Sequence, residues 1–355
     1  MSNVSKCSSS APTRVIPTTH PAWFDSLREA KMIYQCGDRV VWVVDDQFIL
    51  KRMRYTINSE APTHEFVNSK TDIPVPHVFA EWLSADTRTH YLLEGRIPGQ
   101  TLGDCWGQLT NETRIRLAQQ VALYMAQLAR AFRGKRMQSV ARQPLPINCF
   151  VPGADEPRGP LKGRWATDED IFNNEFLPGL KSKGLPDALI RLVGATMPPC
   201  RGQLAFTHCD LYVGNIMVDP AHGVVTAIID WESAGYWPEW FQYARITHGC
   251  SPADGQWKYI LGRVSRGLIP HADHGRVWLD MVGLFMHRPD SLQARAWLRL
   301  LIKYLKGEAS SREMREYESI DGRDQREQIE REGLLLNGKG YIGNVGYYSS
   351  AMRCE

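Results

Sequence analysis

The chain has 355 residues, with 42 Lys and Arg against 39 Asp and Glu and a formal net charge of +3. A chain of this length can bury a sizeable core in two lobes, and its near-balance of charge gives no electrostatic case for a nucleic-acid partner, which needs a concentrated basic face. No apolar run approaches the ~20 residues that span a bilayer, and the eight cysteines (Cys7, Cys36, Cys105, Cys149, Cys200, Cys209, Cys250 and Cys354) have no paired spacing, as expected of free thiols in a reducing compartment.

Residues 1–22 are rich in Ser, Thr and Pro and carry no hydrophobic signal core, so they read as a mobile tail of a cytoplasmic protein. Val40–Val44 and Phe48–Leu50 are β-rich runs flanking an Asp45-Asp46 turn. The second run leads directly into Lys51, which is thereby favoured over Arg52 and Arg54 for any phosphate role. Ser59 and Glu60 open a polar helical stretch that ends near Lys70, and a first-turn carboxylate suits the helix dipole. Ile73-Pro74-Val75-Pro76 must be extended, because each proline restricts the residue before it. Val78–Leu83 and Tyr91–Glu94 read as two further strands, and Pro98-Gly99 marks a lobe boundary.

Thr110 is a cap for a long helix to about Arg133. Leu117, Val121, Tyr124, Met125, Leu128 and Phe132 recur at three- and four-residue steps and predict one buried face. Gln143 to Arg164 is rich in Pro and Gly and reads as a long surface loop of the kind that serves as a lid. Helices are expected over Asp168–Lys183 and Asp187–Met197, and Arg201–Phe206 leads into the most informative stretch of the chain.

That stretch runs FTHCDLYVGNIMVD, then a Pro/Gly turn, then VVTAIIDWE. Asp210 and Asn215 share one tight loop. Asn215–Val218 reads as a short strand, residues 219–223 as a turn, and Val224–Ile229 as a returning antiparallel strand. A hairpin of that length brings Asp230 back beside Asn215. An amide oxygen and a carboxylate then converge on one point, as a magnesium ion that keeps its waters requires. Asp210 stands beside that point, able to accept a proton from a hydroxyl. Single Asp and Asn residues are ordinary turn residues, but this joint order and spacing is what metal-assisted phosphoryl transfer from a nucleotide uses. His208 is expected to buttress the loop by hydrogen bonding. A zinc site at His208, Cys209 and His222 is disfavoured, because adjacent ligands chelate poorly and the chain has no C-x-x-C.

Beyond Trp237, the aromatic residues Trp240, Trp257, Trp278, Phe285 and Trp297 are expected to build a helical core, with a few lining an acceptor pocket. Glu308–Glu332 alternates charge as a solvated helix does. The GKGYIGNVG string near the C-terminus fails the spacing and context of a P-loop and reads as a loosely packed end.

At Asp210, Asn215 and Asp230 the sequence resembles the aminoglycoside phosphotransferase superfamily, also called the phosphotransferase enzyme family, and looks most like its fungal branch. IDWESAGYWPEWFQYAR is the most specific string, with Asp-Trp-Glu where protein kinases have Asp-Phe-Gly, and the likeness runs from about Lys51 to Arg245. The resemblance implies an α+β, two-lobed, protein-kinase-like fold that binds ATP between a small β-rich lobe (residues 23–97) and a larger, mainly helical lobe (98–336), with 337–355 loosely packed. It implies that Asp210 is the catalytic base, that Asn215 and Asp230 hold Mg2+, and that Lys51 binds the nucleotide phosphates. Glu60, with Glu65 as its rival, would pair with Lys51, and the Tyr91–Gly95 segment, with Leu93, Glu94 and Gly95, would be the hinge whose backbone binds adenine. One departure stands out: no G-x-G-x-x-G precedes Lys51, and the candidate phosphate loop, Tyr34–Arg39, holds a single glycine, Gly37.

The expected activity is therefore transfer of the γ-phosphoryl of ATP to a hydroxyl of a small-molecule acceptor, with neither nucleic acid nor membrane as a partner. The alternative is a kinase-fold nucleotide-binding or interaction protein without turnover. A protein kinase is disfavoured, because the nearest string to an A-P-E anchor, Trp237-Pro238-Glu239, follows Asp230 too closely. Glu232 and Glu239 are candidates for facing a cationic acceptor or for purely structural roles.

Overall fold

The computed structural model describes residues 30–36, 39–54, 60–84, 89–145, 163–200, 204–245, 251–268, 272–287 and 290–308. The N-terminal tail, most of the expected 143–164 loop, the charged run after Glu308 and the glycine-rich end lie outside them. The chain divides into two compact units, residues 1–56 with 78–95, and residues 57–77 with 96–355.

The first unit is an antiparallel sheet of β1 (Lys31–Cys36), β2 (Arg39–Val43) and β3 (Phe48–Arg54), joined after a helical excursion by β4 (Val78–Leu83) and β5 (Thr89–Gly95). The spatial order is β1-β2-β3-β5-β4. Asp45 makes the turn between β2 and β3, its Oδ1 accepting from the amides of Gln47 at 2.7 Å and Phe48 at 2.9 Å. This is the local bonding that makes Asp a turn residue. Strand β3 runs three residues past Lys51, because β5 pairs with it as far as Arg54 opposite Thr89. Tyr34–Cys36 is not loop as expected: these residues pair with Val41, Val40 and Arg39 as part of β1. The candidate phosphate loop thus shrinks to the link between β1 and β2, whose residues 37–38 lie outside the described set.

The second unit begins with α1 (Glu60–Asn68). Its helix was expected to group with the N-terminal lobe, but its contacts lie elsewhere. The amide of Ile228 donates to Pro74 O at 2.9 Å, His64 Nδ1 bonds Pro76 O at 3.0 Å, and Val67 and Ile73 are buried with Leu117 and Trp231. The extended prolines therefore hold α1 against the rest of the second unit.

Then come β6 (Gln100–Thr101), α2 (Leu102–Cys105), α3 (Asn111–Ala131) and β7 (Arg133–Gly134). Gly99, at φ +110°, lets β6 run against β9 (Ile216–Asp219), since a Cβ there would sit 2.5 Å from Val218 O. Helix α3 starts where Thr110 Oγ1 accepts from Thr113 N at 3.2 Å. Its expected stripe is buried at Leu117, Val121, Met125 and Leu128, each contributing roughly 2 kcal/mol over exposure.

The single helix expected over residues 168–183 is instead α4 (Asp168–Ile171), a π-helical turn (Phe172–Phe176) and α5 (Leu177–Ser182). Pro178 explains the break, because it has no amide to donate and its ring crowds the preceding turn. The remaining elements are α6 (Asp187–Ala195), β8 (Leu204–Thr207), β9, β10 (Val224–Ile228), β11 (Gly235–Trp237), α7 (Phe241–Arg245), α8 (Pro252–Ser265), α9 (Ala272–His287) and α10 (Leu292–Leu305).

Two small sheets, β10-β9-β6 and β11-β8-β7, carry the loops of interest. One core joins α3 and α8 to the hairpin through Val121, Ile216, Trp231 and Trp257. A second joins α6, α9 and α10 through Trp240, Trp278, Phe285 and Trp297, so these aromatics are core as expected. The α+β class, with a small sheet-built unit and a larger, mainly helical one, is the expected fold class. Among the described residues no helix is long and apolar enough to cross a membrane.

Candidate active site

In the second unit the site grows from the ends of β8, β9 and β10. The hairpin pairs Ile216 with Ile228, and the amide of Ile229 donates to Asn215 O at 3.0 Å. Asp230, the next residue, therefore leaves the hairpin beside the Asn215 turn, as its spacing predicts. Asn215 Nδ2 donates to Asp210 O at 2.9 Å and to Asp210 Oδ2 at 3.2 Å. One amide thus fixes both the loop backbone and the carboxylate. With Nδ2 committed to two oxygens, the Oδ1 of Asn215 is its acceptor end.

Cys209 and Asp230 both adopt left-handed backbone, at φ 67° and 63°. Such non-glycine positions each cost on the order of 1 kcal/mol and persist where the surroundings enforce them. At Cys209 the enforcement comes from α7. Gln242 Oε1 accepts from the Cys209 amide at 3.0 Å, and Arg245 Nε donates to Cys209 O at 3.4 Å.

His208 ties the two loops together. The Asp210 amide donates to its Nδ1 at 3.1 Å, so Nε2 carries the proton and donates to Ile229 O at 3.0 Å. The ring is fully buried against Trp231, with centroids 4.5 Å apart. Burial pushes the His208 pKa down to about 4, against the Ile229 carbonyl and the charges of Asp230 and Glu60, which favour the cation. The neutral ring is therefore the form that bridges the loops near pH 7. Trp231, next to Asp230, is itself fixed by its Nε1 donating to Ile228 O at 2.8 Å.

Glu60, at the first turn of α1, is buried, whereas Glu65 is exposed. Glu60 belongs to the second unit and Lys51 to the first. Glu239 accepts two bonds from the Arg133 guanidinium, both at 3.0 Å, which gives it a structural role. His222 sits on the hairpin turn bonded to Asp219 Oδ2 at 2.7 Å. Among the described residues no group of three or more His, Cys, Asp or Glu is arranged to hold a metal. A magnesium ion asks for less, one or two protein oxygens completed by waters and phosphates. Asn215 Oδ1 and the Asp230 carboxylate fit that donor set.

In the first unit, strand register decides which face of the sheet each cation takes. Lys51 lies opposite Leu92, so Glu94, two residues along β5, shares its face. Lys51 Nζ meets Glu94 Oε1 at 3.0 Å, and both side chains are buried. Glu81 Oε1 and His90 Nε2, 3.0 Å apart, lie on that face too. Arg52 points to the opposite face and stacks over Trp42 at 5.5 Å. Leu93 packs there too, with Leu50 and Trp82. Leu93, Glu94 and Gly95 pair with Leu50, Ile49 and Phe48, and β4 flanks the other side of β5. Gln242 and Arg245 are the functional neighbours that sequence reasoning did not single out, although both fall within the string that carried the resemblance.

Residues 36–277 match the phosphotransferase enzyme family, a wider span than the one read from the sequence. No curated protein matches the chain. Among solved structures, the GDP complex of aminoglycoside 2'-phosphotransferase-IIIa is 14% identical over 79% of this chain and 92% of that one, with a TM-score of 0.49. ADP-bound aminoglycoside phosphotransferase APH(2'')-Ib is 10% identical over 78% and 92%, with a TM-score of 0.47. A ternary complex of aminoglycoside phosphotransferase APH(4)-Ia with ADP and hygromycin B is 16% identical over 87% and 96%, with a TM-score of 0.45. The family match, which covers well over half of the chain, carries the assignment, and the distant structures add nothing to it. The loop, hairpin and strand described above thus belong to a member of the phosphotransferase enzyme family.

Proposed function

We propose that the protein transfers the γ-phosphoryl group of ATP to a hydroxyl of a small molecule, with Mg2+ as the metal. The observation that supports this reading is the pair of hydrogen bonds from Asn215 Nδ2 to Asp210 O and Oδ2, which fixes that amide and carboxylate against each other at the turn where Asp230 leaves the hairpin. Asp210 orients the acceptor hydroxyl and takes its proton as the oxygen–phosphorus bond forms. The bond from the γ-phosphorus to the bridging oxygen breaks, and ADP leaves with that electron pair. Asn215 and Asp230 would hold the magnesium ion, which neutralises charge on the phosphates. Lys51 binds the phosphates, and the backbone around Leu93, Glu94 and Gly95 meets the adenine. Because β3 and β4 flank that part of β5, the adenine contacts belong at the end of the strand. Catalysis of this kind is mostly positioning and charge neutralisation.

Solved aminoglycoside phosphotransferases have been captured with ADP, GDP, kanamycin and hygromycin B, which suits a hydroxyl-bearing small molecule as the acceptor class. A cytoplasmic setting suits three of the described cysteines, Cys105, Cys200 and Cys209, which are free thiols. The alternative, a nucleotide-binding protein without turnover, is favoured by one feature, the single Gly37 where a glycine-rich loop would stand. The test is ADP release from ATP and magnesium across a panel of amines, sugars and amino alcohols. Acceptor-stimulated release that Asp210→Ala abolishes, with ADP binding retained, supports the transferase. Binding without release across the whole panel supports the alternative.

A further inference from the structure

The backbone between Asp210 and Asn215 has to hold two functional side chains in fixed relation, yet it belongs to no strand and only ends in a short 3-10 turn, Val213–Asn215. Its polar groups must find partners, and most of those partners are side chains. Cys209 is held by α7, Asp210 N by His208 and Asp210 O by Asn215. Within the loop the Asn215 amide donates to Tyr212 O at 3.0 Å, and two further contacts come from one helix, α8. Trp257 Nε1 donates to Leu211 O at 2.9 Å, and Asp254 Oδ1 accepts from Val213 N at 3.1 Å.

Asp254 is fully buried and turns its other oxygen, Oδ2, to Lys258 Nζ at 3.0 Å, one helical turn on and itself buried. The Asp254 amide is bonded to the helix cap, Ser251 Oγ, at 3.2 Å. Trp257 is fully buried and packs edge-on against Trp106, at 6.4 Å between centroids. Trp106 in turn donates to Gln256 Oε1 at 2.8 Å. Both α8 side chains that reach the loop are therefore themselves locked.

A buried ion pair is a poor way to stabilise a helix, because an apolar pair of similar size serves as well or better. What an apolar pair cannot do is accept a bond from Val213. We infer that Asp254 and Trp257 are positioning residues for the phosphoryl-transfer loop, setting the spacing between Asp210 and Asn215, and that Lys258 fixes the Asp254 carboxylate for that task. The inference rests on the functional reading above, in which Asp210 and Asn215 are the working pair.

Two variants of the full chain test it, Trp257→Phe and the double variant Asp254→Leu with Lys258→Met. The second removes both buried charges together, so it keeps the helix packed while leaving Val213 without its acceptor. Three quantities are read: magnesium-dependent ADP release from ATP with water as acceptor, per folded molecule; ADP affinity; and amide exchange over residues 208–216. Both variants are expected to lose at least about tenfold in release, to hold ADP affinity within about twofold, and to exchange the Leu211–Asn215 amides about tenfold faster. A purely structural role would shift the melting temperature and leave release per folded molecule and loop exchange unchanged in both variants, and that result overturns the inference. An Asp210→Ala control separates the two levels. Wild-type release no faster than that control, both with water and across the acceptor panel, sinks the functional reading, and the exchange measurement then decides the positioning claim alone, with unchanged protection refuting it.

Discussion

Lys51 and Asp210 are placed by opposite means. Lys51 owes its direction to strand alternation: β3 pairs with β5 residue by residue, Lys51 lands on the face with Glu94, and Arg52 lands on the other with Trp42. Asp210 sits on irregular backbone whose partners come from Gln242, Arg245, His208 and Ile229. The first arrangement is a local consequence of register. The second depends on helices tens of residues away. A site of this kind therefore combines a part that tolerates change, as long as strand pairing survives, with a part that fails when any of several distant side chains is lost.

The largest effect should come from the loop side. Asp210→Ala is expected to lower phosphoryl transfer by about a thousandfold, within the usual range for a general base, with ADP affinity little changed; calorimetry beside steady-state rates would check both. Retained transfer would mean the loop arrangement is not what makes the chain work.

Acid should break the same side through stability. The folded state keeps His208 neutral down to about pH 4, whereas the unfolded chain takes up that proton near its ordinary value of 6.5. Between those values the unfolded state binds more protons, so stability falls as pH falls from about 6.5 to about 4 and is insensitive to this group above that window. The total is roughly 3 kcal/mol. Denaturant melts at pH 7 and pH 4.5 should show the loss in the wild type and a smaller one in His208→Gln. Equal slopes would remove His208 as the buried bridge.

On the strand side, Lys51→Met should cost about a hundredfold in transfer, the scale of one well-placed electrostatic contact. Arg52→Met, the neighbour on the other face, should leave rates within about twofold and cost at most about 1 kcal/mol of stability, the worth of an exposed cation–π contact. Reversal of that order would show that the alternation argument picked the wrong cation.

Local pattern made some of this readable and not the rest. Apolar Phe48–Leu50 announced β3 and pointed at Lys51, but nothing in the sequence told how far β5 would extend the pairing. Strand β1 went unseen because Met32, Ile33 and Tyr34 are consecutive, exposed and without alternation. The hairpin from Asn215 to Asp230 was legible because Pro220 and Gly223 bound a β-branched run. Pro178 was visible, yet its effect, a π turn upstream rather than a helix end, depends on packing in the second core. Gln242 and Arg245 could not be paired with Cys209 from local pattern, since the bonds span 33 and 36 residues.

The central claim, that Asn215 and Asp230 present oxygens to one divalent ion beside Asp210, has a direct reading that needs no acceptor. Manganese can stand in for magnesium and be followed by paramagnetic resonance in the presence of ADP. The account predicts a bound Mn2+·ADP signal in the wild type that Asp230→Asn weakens by at least about tenfold, with metal-free ADP binding preserved. Equal Mn2+ binding in the two proteins would contradict it.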